Sequence, residues 1–347
     1  MSAWLWPQDM AAAPQAPALH RGVCPPQVSV VMATCRRPGL LRRCLLALER
    51  QTLPAEAFEI VVVDDGPDAD TQALVGTLAR RPDMPPLHYL RTPQGHGPAA
   101  ARNAGWRAAR AAVVAFTDDD TVPAVDWLER GLAALHAGGW AAIGGRIYVP
   151  LPARPSDHER TTQGLERTRF VTANAFVTRW ALQQVGGFDE RFTRAWREDS
   201  DLQFRLEDAA GPVGRCEDAL VLHPVRHERW GVSLRQQRNA FFEALFRAKH
   251  PERYAAGAGL PVPWHYYGVV ACSMAALPLW AGGWRAAGAA CAAAALLLVL
   301  GFALWRLRGT SHRAGHVLEM LLTSAAIPFL SVYWRLRGAL HFRVWRL

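Results

Sequence analysis

Three consecutive carboxylates, Asp118–Asp120, follow a short apolar run that ends at Phe116. Adjacent carboxylates repel one another unless a positive group joins them, and their oxygens suit a hard divalent cation shared with phosphate groups. Ligand sites in open α/β sheets lie at the carboxyl ends of strands. The spacing therefore predicts a cation and phosphate site at a strand end, although an acidic surface turn would have the same local sequence.

Two further acidic groups stand at comparable places along the chain. Asp64 and Asp65 directly follow the apolar run Phe58–Val63, and Glu198, Asp199 and Asp201 begin an amphipathic stretch. Carboxylates in a first helical turn are favoured by the helix dipole, so simple capping stays open for the last group. Two acidic strand ends in one α/β unit are nevertheless more specific than a single Asp-Asp-Gly turn.

The elements that must position these groups alternate between buried strands and helices. Continuous apolar runs of four to six residues predict strands, and apolar residues at helical spacing predict helices. The predicted strands are Val28–Ala33, Phe58–Val63, Leu87–Arg91, Val113–Phe116, Ala141–Arg146 and Arg169–Val177; the predicted helices include one after Pro38, Thr71–Arg80, Ala99–Ala109, Trp127–Leu135 and Trp180–Val185. This order implies an α/β fold with a mostly parallel sheet and right-handed crossovers.

Composition limits the classes of partner. The 347 residues carry a formal net charge of +9, which suits nucleic acid, a nucleotide or a membrane surface. No nucleic-acid-binding motif accompanies the charge, so we predict no nucleic-acid partner. The six cysteines lack the spacing of a zinc site or a disulfide framework, which indicates reduced thiols in a cytosolic protein.

The hydropathy pattern divides the chain into three parts. Residues 1–27, rich in Ala and Pro, read as a disordered lead-in, residues 28–250 as the α/β domain, and residues 251–347 as a membrane-associated region. Tyr266–Gly282 and Ala286–Trp305 are long enough to cross a bilayer and form a predicted hairpin over residues 266–305. Buried core helices of a soluble domain are the alternative.

Charge next to the apolar segments indicates topology. Arginines directly follow the predicted hairpin, and by the positive-inside rule they place that end of it in the cytoplasm. The α/β domain enters the hairpin from the same side, so we expect it to be cytoplasmic too, with the hairpin in the inner membrane of a bacterium. A third apolar stretch, Val317–Trp334, contains Glu319 and Pro328. We expect residues 317–347 to be re-entrant or interfacial, with Tyr333–Leu347 forming a basic surface helix.

Several stretches, in this order and spacing, resemble the inverting family 2 glycosyltransferases of the GT-A fold. They are VSVVMATCRRP, EIVVVDDGPD, GPAAARNAGWRAA, VVAFTDDDTVPAVDWL, TANAFVTRWALQQVGGFDERF and REDSDLQFRL, and the resemblance covers about Val28 to Arg247. It implies transfer of a sugar from a nucleoside-diphosphate sugar to an acceptor hydroxyl with inversion, assisted by Mn²⁺ or Mg²⁺. The acceptor is unknown, and with membrane segments present it could be lipid-linked.

The resemblance also implies roles for individual residues. Asp199 would be the general base, with Glu198 and Asp201 as supporting residues. The metal would be held by Asp120 and His223, although His227 lies close to the latter. The nucleotide sugar would contact the following set: Thr34, Arg36, Asp64, Asp65, Arg102, Asn103, Asp118 and Asp119.

Other functions fit the residues less well. A haloacid-dehalogenase D-x-D-x-T motif would need Thr at position 122, and a calcium loop starting at Asp118 would need Gly where Pro123 stands. The Q-x-x-R-W motif of processive synthases is missing, since the nearest sequence is Arg235–Asn239, so we expect transfer of one or a few sugars. A catalytically inactive membrane scaffold that retains the GT-A fold remains the non-enzyme alternative.

Overall fold

The computed structural model describes residues 25–92 and 96–344 of the chain. The predicted lead-in therefore lies almost entirely outside the described residues. The strands are β1 (Val28–Thr34), β2 (Phe58–Asp64), β3 (Leu87–Arg91), β4 (Val113–Thr117), β5 (Val122–Pro123), β6 (Ala142–Tyr148), β7 (Asn174–Thr178) and β8 (Val213–Leu222). The helices of the α/β domain are α1 (Pro38–Leu48), α2 (Ala69–Leu78), α3 (Pro98–Ala108), α4 (Trp127–Ala137), α5 (Asp157–Gln163), α6 (Arg179–Val185), α7 (Glu198–Ala209), α8 (Val232–Gln236) and α9 (Ala240–Lys249).

One eight-stranded sheet organises the domain, in the order β3-β2-β1-β4-β7-β6-β8-β5. The four strands β3, β2, β1 and β4 are parallel, as the alternating pattern predicts, whereas β7 is antiparallel to both of its neighbours. In the register of β1 and β2, Thr34 pairs with Asp64, and β4 ends one residue before the carboxylate triplet. The acidic strand ends thus meet at one edge of the sheet.

Apolar cores cover both faces of the sheet. Alternate residues of the parallel strands point to opposite sides, with Val30 packed beneath α1 and α4 and Val31 beneath α3 and α7. Helix α3 approaches β1 very closely, because a Cβ on Gly105 would lie 2.4 Å from Val31 Cγ1. Glycine at this point brings the N-terminal half of α3, with Arg102, down to the edge where the strands end.

Two elements of the α/β domain begin two or more residues away from the start that the sequence predicts. Helix α2 starts at Ala69 rather than Thr71, because the side chain of Asp68 caps it by accepting hydrogen bonds from Thr71 N and Oγ1. Strand β7 starts at Asn174 rather than Arg169, because its partner β4 ends at Thr117, which pairs with Asn174. The residues before Asn174 are left free to meet α7 instead.

The C-terminal region consists of helices α10 (Pro251–Arg253), α11 (Trp264–Ala281), α12 (Arg285–Leu307) and α13 (Ala314–Phe342). Within the described chain, α12 and α13 are long and apolar enough to cross a membrane, judged by length and composition. Helix α11, which forms the first arm of the predicted hairpin, does not meet that standard, since polar aromatic residues open it and Pro278 interrupts it. It packs against α12 across the turn at Gly283.

The expectation of a separate surface helix from Tyr333 onward is wrong. Helix α13 runs without interruption from Ala314 to Phe342 and passes through Pro328. Proline removes one backbone hydrogen bond from a helix interior. Here Pro328 is buried and the helix is packed against the α/β domain on both sides of it, which compensates for that loss.

Candidate active site

The sheet edge holds a cleft of about 210 Å³ between the ends of β1, β2 and β4 and the start of α3. Six of the predicted site residues line it, together with three residues outside that set that carry basic or thiol groups. The predicted ones are Thr34, Asp65, Arg102 and the triplet Asp118–Asp120, and the additional ones are Cys35, Arg37 and Arg226. The sequence prediction that two acidic strand ends share one rim is thus confirmed by the geometry.

Asp119 is fixed at the floor of the cleft. Its carboxylate accepts a hydrogen bond from Thr34 Oγ1 at 2.7 Å and lies 3.3 Å from Arg37 Nη1. Burial raises the pKa of Asp119 to about 6, while Arg37 and Thr34 oppose that rise. The middle carboxylate of the triplet therefore already has partners on β1 (Thr34) and on the turn after it (Arg37).

Arg102 connects two acidic groups that are distant in sequence. Its guanidinium, buried and set 5.8 Å from the ring centroid of Phe188, donates to Asp118 Oδ1 at 2.8 Å and to Glu198 Oε1 at 3.1 Å. Burial disfavours the charge of Asp118, but the Arg102 guanidinium together with His223 and Arg226 outweighs burial and lowers the pKa of that carboxyl. One buried cation thus joins the triplet to the start of α7.

Glu198 and Asp199 form a closely coupled pair. Burial, reinforced by the charge of Asp199, raises the pKa of Glu198 to about 8, and burial also raises the pKa of Asp199. Asp199 accepts hydrogen bonds from Thr172 Oγ1 at 2.6 Å and Thr172 N at 3.2 Å. Hydrogen bonds to a carboxylate favour its ionised form, so the bonds from Thr172 oppose the rise in the pKa of Asp199 and the bond from Arg102 opposes the rise in the pKa of Glu198.

Three side chains form a cluster that fits a divalent cation. One potential ligand atom from each of Asp118, Asp120 and His223 lies within 4.8 Å of the other two. Among the described residues, Asp120 Oδ2 and His223 Nδ1 are buried without a hydrogen-bond partner. Buried polar atoms are normally satisfied, and carboxylate oxygens with one imidazole suit a metal such as manganese or magnesium. The donor set therefore fits the metal that the sequence analysis expects.

Arg226 occupies the open side of that cluster. Its Nε lies 2.8 Å from Asp120 Oδ2, as an ion pair without hydrogen-bond geometry, and its side chain is partly exposed. It stands on the irregular segment between β8 and α8. A guanidinium and a divalent cation would compete for the same carboxylate oxygen, and a guanidinium also binds phosphate well.

The Asp64-Asp65 pair shapes the loops around the cleft. Asp64 is buried, and its two oxygens accept hydrogen bonds from Gly66 N, Asp68 N and the hydroxyl of Tyr89. Asp65 faces the cleft and accepts from His96 N and Gly97 N, both at 3.0 Å. Gly97 has φ +94°, and a Cβ there would lie 2.3 Å from Thr193 O, so only glycine fits this approach to α3.

Three other predicted residues lie away from the cleft. Arg36 is exposed and its Nε packs beside the Gly66 turn, whereas its neighbour Arg37 reaches the triplet. Asn103 is turned into the protein and hydrogen-bonds Phe188 N and O. Asp201 is fully buried, where its carboxylate contacts Arg205, Lys249 and His250 and so ties α7 to the end of α9.

Sequence reasoning missed three contacts of the site. Arg37 stands next to the predicted Arg36, and Arg226 follows the predicted His223 by three residues. Closeness in sequence to a predicted site residue was therefore the only signal for either arginine. Thr172, which orients Asp199, precedes a strand by two residues and carries no signal of its own. These contacts depend on how distant segments meet.

Comparison with known proteins bears directly on this arrangement. A model of the family described as Glycosyl transferase family 2 matches residues 29–192, which include both acidic strand ends. Residues 29–192 are thus similar to a family 2 glycosyltransferase domain. The remaining site residues, from Glu198 to Arg226, follow that domain directly.

Named relatives agree with the family. The chain is 28% identical over 210 residues to glycosyltransferase AglE of Haloferax volcanii, covering 58% of this chain and 68% of the relative. It is 30% identical over 250 residues to the pre-mycofactocin glycosyltransferase of Mycobacterium tuberculosis, covering 66% of this chain but about half, 49%, of that one. Both relatives are named as glycosyltransferases, which agrees with the family model.

The fold agrees with a solved glycosyltransferase. The structure of the mannosyltransferase PcManGT from Pyrobaculum calidifontis, a complex with GDP-Man and Mn²⁺, aligns with a TM-score of 0.56 and 23% identity, over 90% of this chain and 88% of that one. This likeness establishes the GT-A fold for the chain. It extends beyond the family 2 domain into the C-terminal helices.

Proposed function

We propose that this chain transfers one sugar, or a few, from a nucleoside-diphosphate sugar to an acceptor hydroxyl with inversion at the anomeric carbon. Asp199 acts as the base, and Asp118, Asp120 and His223 hold Mn²⁺ or Mg²⁺. The observation that carries the proposal is the buried Arg102, which binds Asp118 of the triplet and Glu198 beside Asp199 in one unit. The complex of the Pyrobaculum mannosyltransferase with GDP-Man and Mn²⁺ supports the donor and the metal.

The residues divide the chemistry between them. A bound divalent metal would supply charge neutralisation for the departing diphosphate. Arg37, paired with Asp119, and Arg226, paired with Asp120, provide further positive charge beside the cleft. Asp199 takes the proton of the attacking hydroxyl, and its orientation is fixed by the two hydrogen bonds from Thr172. A base that acts on the face opposite the leaving group gives a single displacement and therefore inversion.

Donor binding tests this proposal without knowledge of the acceptor. The purified chain is expected to show a rise in melting temperature with one nucleoside-diphosphate sugar of a panel, and only with Mn²⁺ or Mg²⁺ present. Asp218→Asn, an exposed change on β8, serves as a matched control and should respond as the wild type does. The absence of any shift across the panel, with metal present, would contradict the proposed donor class.

We further propose that the chain is associated with the inner membrane of a bacterium, its domain on the cytoplasmic side, through α11–α12 and the outer face of α13. Both ends of α13 contact the α/β domain: Glu319 Oε1 accepts a hydrogen bond from Gly231 N, and Gly338 packs against the backbone of Phe241. These positions are 19 residues apart, or about 28 Å along a helix. A helix crossing a bilayer core of about 30 Å would separate them, so α13 lies along the domain.

The exposed face of α13 supports an interfacial position. Seven large apolar residues recur there at intervals of one to seven residues: Leu318, Leu321, Leu322, Phe329, Tyr333, Leu336 and Leu340. The opposite face is buried and includes Thr323, Ser324 and Ser331. Such an apolar stripe beside a docked face suits the boundary between lipid headgroups and acyl chains.

A topology experiment separates an interfacial from a spanning α13. A reporter fused after Leu347 is expected to read on the same side as the α/β domain, because α13 does not cross. A reporter inserted at Gly283, in the turn between α11 and α12, should read on the opposite side and so shows that the assay distinguishes the two. A reporter at Leu347 that reads opposite to the domain would mean that α13 spans.

A further inference from the structure

A second cavity, of about 330 Å³, lies beside the active-site cleft between α5, the segment before α8 and the start of α13. We call it the α5–α13 cavity. Arg226 lines both this cavity and the cleft, and its guanidinium contacts Asp120 of the triplet. The two spaces therefore share Arg226 as a wall residue. The far wall, with His316 and Met320, belongs to the helix that we place at the membrane surface.

Three polar side-chain atoms of the cavity lining lack partners. Among the described residues, His158 Nδ1, Ser233 Oγ and His316 Nε2 are buried without a hydrogen bond. Burial lowers the pKa of His158, so its imidazole is neutral at pH 7 and offers one donor and one acceptor. Orphaned polar atoms cost free energy unless a ligand or water satisfies them.

The rest of the lining is acidic rather than basic, with four carboxylates and two arginines. Four carboxylates face the cavity, and each already accepts from the protein: Asp157 from Arg306, Glu159 from Ser156 N, Glu228 from Arg235 and Glu319 from Gly231 N. These carboxylates would repel an anionic ligand, and a hydrocarbon ligand would leave the three unpartnered atoms without hydrogen bonds. Hydroxyl groups both donate and accept, so they satisfy such a wall whichever tautomer the imidazoles adopt.

We propose that the α5–α13 cavity is the acceptor subsite and binds a neutral, hydroxyl-rich sugar unit. This inference rests on the proposed glycosyl transfer and adds the chemical class of the acceptor. The acceptor sugar reaches Arg226 and the cleft from the side of α13, which suits a glycan carried at the membrane surface. His316 and Ser233 are positioned to bind its hydroxyl groups.

Saturation-transfer NMR on the full chain tests the subsite. The protein is held in an amine-oxide detergent, which has neither sugar nor phosphate groups. The neutral probes are the methyl pyranosides of glucose, galactose, mannose and N-acetylglucosamine, and the anionic probe is hexyl phosphate. At least one pyranoside should receive saturation. His316→Ala should weaken its binding by roughly two- to tenfold, the value of one hydrogen bond, and Ser233→Phe, which fills the cavity, should abolish it.

Controls keep the result independent of folding and of the proposed activity. His312→Ala changes an exposed histidine outside the cavity, four residues before His316, and should bind as the wild type does. Ser233→Phe should keep the metal-dependent donor shift in melting temperature. The proposed subsite is contradicted if no pyranoside binds, if Ser233→Phe binds the sugar normally, or if hexyl phosphate displaces the sugar. By contrast, absence of the donor-induced shift in the melting temperature of the wild type contradicts the transferase proposal.

Discussion

Replacement of Asp199 by Asn is expected to reduce the rate of sugar transfer by roughly 10²- to 10⁴-fold, the usual contribution of a positioned general base. Asparagine has nearly the same shape and can still accept a hydrogen bond from Thr172, but it cannot take a proton from the acceptor hydroxyl. Because Asp199 does not line the cleft, the affinity for the nucleotide sugar should change little. Rate and donor affinity measured on the same protein separate the two effects.

The pH dependence gives a second view of the same residue. Burial raises the pKa of Asp199 above the ordinary aspartate value of about 3.9. A base works only when ionised, so activity should fall as the pH drops through that raised pKa, and the acid limb of the rate profile should lie above pH 4. Wild-type turnover in Asp199→Asn, with an unchanged acid limb, would remove Asp199 as the base.

Removal of the metal is expected to have an effect at least as large. Asp120→Asn withdraws one of the three clustered ligands, and a bound metal stabilises a departing diphosphate by several kcal/mol, so transfer should fall by about 10²-fold or more. A chelator should stop the wild-type reaction, and added Mn²⁺ or Mg²⁺ should restore it. Transfer that continues in the chelator would contradict the metal assignment.

A neighbouring substitution distinguishes metal loss from general damage to the cleft. Arg226→Gln removes the guanidinium that contacts Asp120 but leaves Asp118, Asp120 and His223 intact. It should therefore keep its response to metal, whatever its rate, whereas Asp120→Asn should lose that response. Mn²⁺ affinity from the paramagnetic resonance signal of the free ion provides the direct comparison, with Asp218→Asn as the control for the loss of one exposed carboxylate.

The parallel half of the fold is readable in the sequence because each strand is a continuous apolar run. Phe58–Val63 and Val113–Phe116 are buried on both faces, so their composition alone marks them. The end of each run then locates Asp64 and Asp118 at the sheet edge. The direction of β7 and its late start at Asn174 depend on pairing with β4, which no local pattern expresses.

The site itself is only partly local. Asp118–Asp120 stand out because three consecutive carboxylates directly follow a buried strand, and Asp199 stands out through the family resemblance. The bridge made by Arg102 joins residues 96 positions apart, and the bonds from Thr172 to Asp199 cross 27 positions. Similarly, Asp201 sits in the same acidic cluster as Asp199 but points the other way on α7, towards His250. Helical phase and tertiary packing decided those outcomes.

The most direct test of the central claim, a metal-assisted sugar-transfer site on the sheet edge, is release of nucleoside diphosphate from the sugar nucleotide that binds. The methyl pyranoside that binds, or water, supplies the hydroxyl that takes the glycosyl group. Release is measured on wild type, Asp199→Asn and Asp120→Asn with Mn²⁺ and with chelator. We expect release by the wild type with Mn²⁺ only, and losses of about 10²-fold or more in both variants. Equal release by all three proteins, or none by a wild type that binds donor and metal, would contradict it.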